Sequence, residues 1–227
     1  KEAGQKLERH KPVPDGIDPR DVWTYLHAID KKTGEVRWVG EAGTAVHNTP
    51  MVGKLADGRW AVAHARGGGH GPLEKPCGVG LSLLENGKSV WTQEFKGDCS
   101  FNTIWNATNV FWFEQTNHLV LDTATGELLR TQSVTESVDF TRFDETTETW
   151  RRETGVALTK GKKKPHTYHT NIIVGDWHYF LAHNDCAVGR VNVETGKTEY
   201  LQLPAQIVAS AEKDRLIWEK KSALPND

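Results

Sequence analysis

Histidine is the residue type in this sequence whose spacing could support chemistry. The chain has 227 residues and ten histidines, four of which stand at the ends of two apolar runs. His47 pairs with His64 in this pattern, and His169 pairs with His183. Imidazoles that converge beside a carboxylate are the ligands that zinc, copper and iron prefer. These four histidines are therefore candidate metal ligands, and Asp185 is a weak candidate for a catalytic base.

A second set of polar residues is a candidate set for ligand binding. Three successive glycines separate Arg66 from His70, which predicts either a glycine-hinged lid or a long surface connection without chemistry. Asn102 and Glu114 lie in the next apolar run, at or beside the positions that histidines take in the other two runs. A polar side chain at a strand end also commonly bonds to a backbone carbonyl. The functional and the structural interpretation both stay open.

The elements that must position these residues repeat along the chain. A β-rich run, a turn ending in Gly and a second β-rich run occur four times. Gly adopts the positive φ of a tight hairpin without steric cost. A further strand–turn–strand unit precedes three of the turns, at 47–64, 102–113 and 169–183. Together the two units give four short antiparallel strands per repeat, which is typical of a propeller blade. The turn glycines are Gly34, Gly87, Gly126 and Gly196.

Side chains around these turns have predictable roles. Asp30 and Asp122 precede two of the turns and can accept hydrogen bonds from the turn backbone. Trp38 and Trp91 each follow a turn glycine by four residues. A large aromatic at that position is expected to fill the space between neighbouring sheets.

The segment AIDKKTGEVRW (Ala28 to Trp38) resembles the blade signature of the PQQ-like repeat, found in the quinoprotein alcohol dehydrogenase-like β-propellers. NTPMV (Asn48 to Val52) resembles the inner strand of that repeat, and the resemblance covers about residues 24–204. It implies an all-β fold, a β-propeller of four-stranded antiparallel blades, with about seven or eight blades in the whole ring. Such repeats occur in quinone-dependent alcohol dehydrogenases, in a periplasmic outer-membrane assembly lipoprotein and in many secreted proteins. The resemblance therefore implies a periplasmic or extracellular protein.

The repeats predict one incomplete propeller domain over residues 1–227, an internal fragment of a larger ring that would complete it. A polar insertion is expected at about 135–165, and the segment 144–155 within it is expected to form an exposed hairpin. The predicted blades are 22–40 (outer strands only), 44–97, 100–134, 166–204 and the start of another at 207–227.

Composition narrows the partners and cofactors. A net charge of −2 argues against a nucleic-acid surface. No apolar run approaches the roughly 18 residues of a transmembrane segment. Cys77, Cys99 and Cys186 form neither a zinc motif nor a disulfide framework. The quinone dehydrogenases of the resembled family carry a disulfide between adjacent cysteines beside the cofactor, and this sequence has no adjacent pair, so PQQ is not expected. A divalent transition metal stays possible.

Three functions are consistent with these features. The first is a non-catalytic extracytoplasmic scaffold that binds a protein or small molecule at the channel mouth, or assists assembly. The second is a quinone- or metal-dependent oxidoreductase that removes hydride from an alcohol or sugar. The third is a metal-assisted hydrolase or lyase that uses the histidines to activate water. We expect the scaffold, because the repeat specifies packing and no catalytic motif accompanies it.

Overall fold

The fold was determined as a computed structural model. It describes residues 25–43, 48–66, 78–95, 102–114, 116–144, 146–158, 171–182, 187–203, 205–209 and 216–220. Every regular element in these ranges is a β-strand, so the predicted all-β class is confirmed. The chain divides into two compact units, residues 1–131 and 132–227.

The first unit contains a hairpin and two four-stranded antiparallel sheets of the propeller-blade type. In each four-stranded sheet the strands lie side by side in chain order, the meander of a blade. The last two residues of β10 belong to the second unit. The hairpin is β1 (Tyr25–Ile29) and β2 (Val36–Gly43); the sheets are β3 (Met51–Lys54), β4 (Trp60–Arg66), β5 (Gly78–Leu83) and β6 (Ser89–Glu94), then β7 (Ile104–Trp105), β8 (Asn109–Glu114), β9 (Asn117–Asp122) and β10 (Leu128–Ser133).

Three of the repeated turns combine a capping side-chain oxygen, from Asp30, Asp122 or Asn192, with a glycine. Asp30 Oδ1 accepts hydrogen bonds from the backbone N–H groups of Lys32 (2.8 Å) and Thr33 (3.0 Å). Asp122 Oδ1 caps the turn after β9 in the same way. The glycine that ends each turn has a positive φ, 77° at Gly34. Local chemistry therefore stabilises the turns that end at Gly34 and Gly126.

Tryptophan side chains join the sheets of the first unit. Trp91, on β6, donates a hydrogen bond from Nε1 to the carbonyl oxygen of Thr123 in the next sheet, at 2.8 Å. Its ring covers Gly126 so closely that a Cβ there would lie 2.5 Å from a ring carbon. Trp38, on β2, contacts Gly87 in the same way. The predicted placement of these two tryptophans between sheets is confirmed.

The second unit contains a six-stranded sheet and a hairpin. The first two strands of this sheet in chain order, β11 and β12, form an antiparallel hairpin at one edge of the sheet. β11 pairs in parallel with β16, so the hairpin widens the sheet and is not a separate protrusion. The sheet order is β12-β11-β16-β15-β14-β13. Its strands are β11 (Val138–Asp144), β12 (Thr149–Val156), β13 (Ile172–Val174), β14 (Trp177–Ala182), β15 (Ala187–Asn192) and β16 (Thr198–Gln202), and the second hairpin is β17 (Ala205–Ala209) and β18 (Leu216–Lys220).

One face of the six-stranded sheet is packed with aromatic side chains. Phe140 and Tyr200 stack with ring centres 5.6 Å apart, and Phe180 meets Tyr200 edge-on. Gly189 makes room for both rings, since a Cβ there would lie 2.4 Å from Phe180. The Tyr200 hydroxyl donates to the carbonyl oxygen of Val134. This face is the core of the unit and leaves the opposite face to solvent or to a partner.

Candidate functional site

Most of the predicted metal site lies outside the described residues. His47, His169, His183 and the carboxylate Asp185 fall in undescribed segments, as do His70 and all three cysteines. Their roles stay predictions. Within the described ranges, no three His, Cys, Asp or Glu side chains are grouped so that they could hold a metal ion.

His64 is described, and it lies inside a sheet and not at an exposed rim. It is fully buried in β4, two residues before the strand ends. Its Nε2 lies 3.0 Å from the hydroxyl of Ser82 on the neighbouring strand. That contact engages one of the two ring nitrogens of His64. The strand continues for two residues past His64, and its role as a metal ligand stays a prediction.

Arg66 is likewise not part of a lid. It is the last residue of β4, pairs with Gly78 across the ladder and is 7% exposed. Both His64 and Arg66 lie against Gly80, where a Cβ would be 3.0 Å from His64 and 3.4 Å from Arg66. The structure thus brings these two predicted residues together, but inside a sheet. A glycine in the facing strand is what admits two large polar side chains there.

Asn102 and Glu114 are placed in the second four-stranded sheet of the first unit. Asn102 is buried, and its Oδ1 accepts a hydrogen bond from the backbone N–H of Thr49 at 2.9 Å. This bond links the segment before β7 to the segment before β3. Glu114 ends β8, opposite Asn117, and is half-buried. The contact of Asn102 is structural, and a ligand-binding role for either residue stays a prediction.

A charged groove on the six-stranded sheet was not predicted from the sequence. It has a volume of about 390 Å³ and lies within the second unit. Arg152 Nη2 is 2.7 Å from Asp139 Oδ2 and 3.1 Å from Glu199 Oε1. Arg190 Nη2 is 2.5 Å from Glu199 Oε2. Lys197 Nζ reaches both carboxylates, at 3.3 Å and 2.8 Å. Two carboxylates are thus held among three cations.

Strand register explains why these charges meet. Arg190 pairs directly with Glu199, and Glu199 pairs directly with Asp139 across the parallel ladder. Tyr179 precedes them in the same row and receives a hydrogen bond from Arg190 at 3.3 Å. Directly paired residues share a face of a sheet. The row therefore crosses four strands on the face opposite the aromatic core.

The electrostatics of the groove favour permanent charge. The hydrogen bond from Arg152 lowers the pKa of Asp139. Burial acts to raise the pKa of Glu199, but hydrogen bonds and charges from Lys197 and Arg190 outweigh it and lower that pKa. The pKa of Arg152 is raised, chiefly by its hydrogen bond to Asp139. Proton transfer near neutrality needs a group whose pKa is close to the working pH. These two carboxylates stay ionised near neutral pH. The groove can therefore bind charged groups, and its carboxylates are not suited to exchanging protons at that pH.

Apolar side chains on the same face surround the charged row. Ile172 and Val174 pair with Tyr179 and Trp177, and each is 57% exposed. Leu201 is also exposed, at 47%. The groove face therefore combines a charged row with exposed apolar side chains.

The sequence contains only a weak signal for this groove. Its charged residues lie in two polar stretches, 139–153 and 190–199, which are readily interpreted as solvated turns. Arg152 and Glu199 are 47 residues apart, so their contact depends on the parallel pairing of β11 with β16. No local sequence motif indicates the pairing of β11 with β16.

Comparisons with known proteins find distant structural similarity. No protein-family model and no curated protein matches the chain. BamB from Moraxella catarrhalis is similar at 16% identity and a TM-score of 0.49, covering 88% of this chain and 56% of that one. A putative 6-phosphogluconolactonase from Bacteroides fragilis is similar at 15% identity and a TM-score of 0.37, covering 81% of this chain and 64% of that one. The chain thus spans under two thirds of either structure, and neither match assigns a function.

Proposed function

We propose that this chain is part of a non-catalytic binding or assembly scaffold outside the cytoplasm. Its binding surface is the groove face of the six-stranded sheet, and its partner is a protein. The observation that carries the proposal is the paired ionic row of Asp139, Glu199, Arg152 and Arg190, whose carboxylates have lowered pKa values. Such a row recognises charge and does not perform acid–base catalysis near neutrality.

The surroundings of the row support a protein partner over a small polar ligand. The exposed apolar residues Ile172, Val174 and Leu201 flank the row on the same face. A protein surface can cover such a mixed area, whereas a small polar ligand would leave the apolar part in water. Among the candidate site residues that the structure describes, His64 and Arg66 are buried inside a sheet.

The location outside the cytoplasm rests on the resemblance to the PQQ-like repeat. Among the described residues there is no helix that is long and apolar enough to span a membrane. The partner expected at the channel mouth is a prediction whose candidate residues His47, His70 and His169 lie outside the described residues. The groove face is a second surface, and the proposal concerns that surface.

Metal content and quinone absorbance distinguish the scaffold from the two enzyme alternatives. The full chain, purified without an affinity tag, is analysed for zinc, copper and iron, and for the absorbance of a quinone. We expect metal well below one per chain and no quinone band. About one metal per chain, lost in the double variant His47→Ala, His169→Ala but kept in the exposed-histidine control His27→Ala, would overturn the scaffold proposal in favour of a metalloenzyme.

A further inference from the structure

β12 ends the six-stranded sheet with a long edge. In the described part of the chain no strand pairs with its outer side, because the sheet order begins at β12. The strand spans Thr149–Val156, and six of these eight residues are exposed. In an antiparallel pair alternate residues direct their backbone N–H and C=O groups away from the partner strand. The outer side of β12 therefore presents a row of backbone donors and acceptors.

The first five residues of this edge are regular. The register runs without interruption from Asp144 opposite Thr149 to Phe140 opposite Glu153. The irregularity comes afterwards, near Gly155, which has a φ of 64°. Proteins commonly protect edges with proline, with bulges, with very short strands or with charged side chains, especially lysine. Residues 149–153 have no proline, no lysine and no bulge, and two of their three charged side chains, Arg152 and Glu153, are paired with charges inside the sheet. An added strand would therefore meet one charged side chain that is only loosely held, that of Arg151.

Two side chains give the edge a chemical preference. Trp150 is 45% exposed and lies on the groove face, two residues from Arg152, where it meets Phe143 edge-on at 5.2 Å. Arg151 points to the opposite face, because neighbouring residues of a strand alternate. Its side chain is 67% exposed and is held loosely, with 3.8 Å to Asp144. An added strand would place one side chain beside Trp150 and the next beside Arg151.

We propose that β12 captures an extended segment of a partner protein by strand addition. The segment alternates apolar residues, which face Trp150 and the groove, with acidic residues, which face Arg151. Backbone pairing supplies affinity in this mode, and the alternate side chains supply selectivity. The inference rests on the proposed scaffold function and names the partner chemistry for the same sheet.

Two peptides of opposite charge test the inference on the full chain. One is a capped octapeptide that alternates valine and glutamate, and the other alternates valine and lysine. We expect the glutamate peptide to bind at least about tenfold more tightly, since opposite charges across a strand pair attract and like charges repel. Hydrogen exchange measured by mass spectrometry should show slower exchange over 149–153 when that peptide is bound.

A charge reversal separates recognition from folding. Arg151→Glu should invert the preference, so that the lysine peptide binds more tightly than the glutamate peptide. The matched control is Arg59→Glu, which reverses an exposed arginine of the first unit that pairs with Asp57 at 2.7 Å. The control should keep the original preference. Circular dichroism confirms that both variants are folded, and inversion is a result that a damaged fold would not give.

Four results would overturn the inference. They are binding of neither peptide, equal binding of the two peptides, binding without protection of 149–153, and a concentration-dependent dimer of the chain that protects 149–153. The last result would assign the edge to a second copy. If the metal analysis refutes the scaffold while the glutamate peptide still protects β12, the function fails and the edge proposal stands. If no metal is found and neither peptide binds, the edge proposal fails alone.

Discussion

The sheets of the first unit and the six-stranded sheet carry the same repeat but present different surfaces. In the first unit, Trp38 and Trp91 follow their turn glycines by four residues and pack on the next sheet. In the second unit the residue at that position is Tyr200, which is buried in the aromatic core on the other side. The face that the tryptophans cover in the first unit carries charges in the second. The repeat alone therefore does not decide how a sheet meets its neighbour.

A difference in strand register explains the two outcomes. The pairing of β5 with β6 shifts by one residue, so that Trp91 lies opposite Leu81. β1 and β2 contain the same irregularity, and Trp38 lies opposite Ala28. The pairing of β15 with β16 is regular, which puts Glu199 opposite Arg190 at the corresponding place. A shift of one residue exchanges the two faces of a strand. In this chain the shifted register accompanies a face packed on the next sheet, and the regular register accompanies a charged face.

The largest expected effect is the loss of an inter-sheet tryptophan. Trp91→Ala should lower the free energy of unfolding by about 4 kcal/mol, because it empties a buried site and removes the bond to Thr123. Trp150→Ala, on the exposed edge, should cost about 1 kcal/mol or less. Urea denaturation followed by circular dichroism measures both. Equal losses would mean that the two faces do not differ as described.

Substitution of a turn glycine is expected to lower the free energy of unfolding by less, and a second turn glycine provides a closely matched control. Gly126→Ala should destabilise the chain by about 3 kcal/mol, because a φ of 74° strains the backbone and the new Cβ would lie 2.5 Å from the ring of Trp91. Gly34→Ala has a similar φ, 77°, but nothing lies within 4 Å of its position. That control should cost about 1 kcal/mol. Thermal unfolding of the two variants tests the contact, and a control as unstable as Gly126→Ala would assign the whole effect to backbone strain.

The smallest predicted effect is a dependence on pH in the six-stranded sheet. Burial lowers the pKa of His178 to about 3, so the folded chain holds this histidine neutral while the unfolded chain protonates it near its ordinary pKa of 6.5. Its contribution to stability is complete above pH 6.5 and is lost as the pH falls towards 3, at up to about 1.4 kcal/mol per pH unit. At pH 5 the loss is about 2 kcal/mol.

Denaturation curves at pH 7, 6 and 5 measure this loss, and His178→Gln should flatten the dependence. The exposed His27→Ala is the control and should leave the slope unchanged. Carboxyl groups whose pKa is lowered by folding add a small slope near pH 5, which both variants share with the unsubstituted chain, so the comparison between them isolates His178. An unchanged slope in His178→Gln would show that the burial of this histidine does not link stability to pH.

The sequence predicted local features well and the site poorly. The Asp–Gly turns, the strand pairs and the two packing tryptophans follow from residues within a dozen positions of each other, and they are confirmed. His64 was expected at the end of an apolar run, and β4 continues for two residues beyond it. Arg66 was expected either in a glycine-hinged lid or in a long surface connection, and it is the last residue of the same strand. Strand ends depend on the facing strand, and the sequence of one strand does not contain that information.

By itself the sequence determined the all-β class, the four-stranded units and the turns between strands, because hairpin geometry and hydrophobic alternation are local properties. The tertiary structure decided which face each strand presents, since a one-residue shift in register exchanges the faces. It also decided that the hairpin of β11 and β12 joins the sheet in parallel with β16. That pairing assembles Arg152 with Glu199 across 47 residues of chain, and with them the groove and the edge strand β12 on which the proposed binding depends.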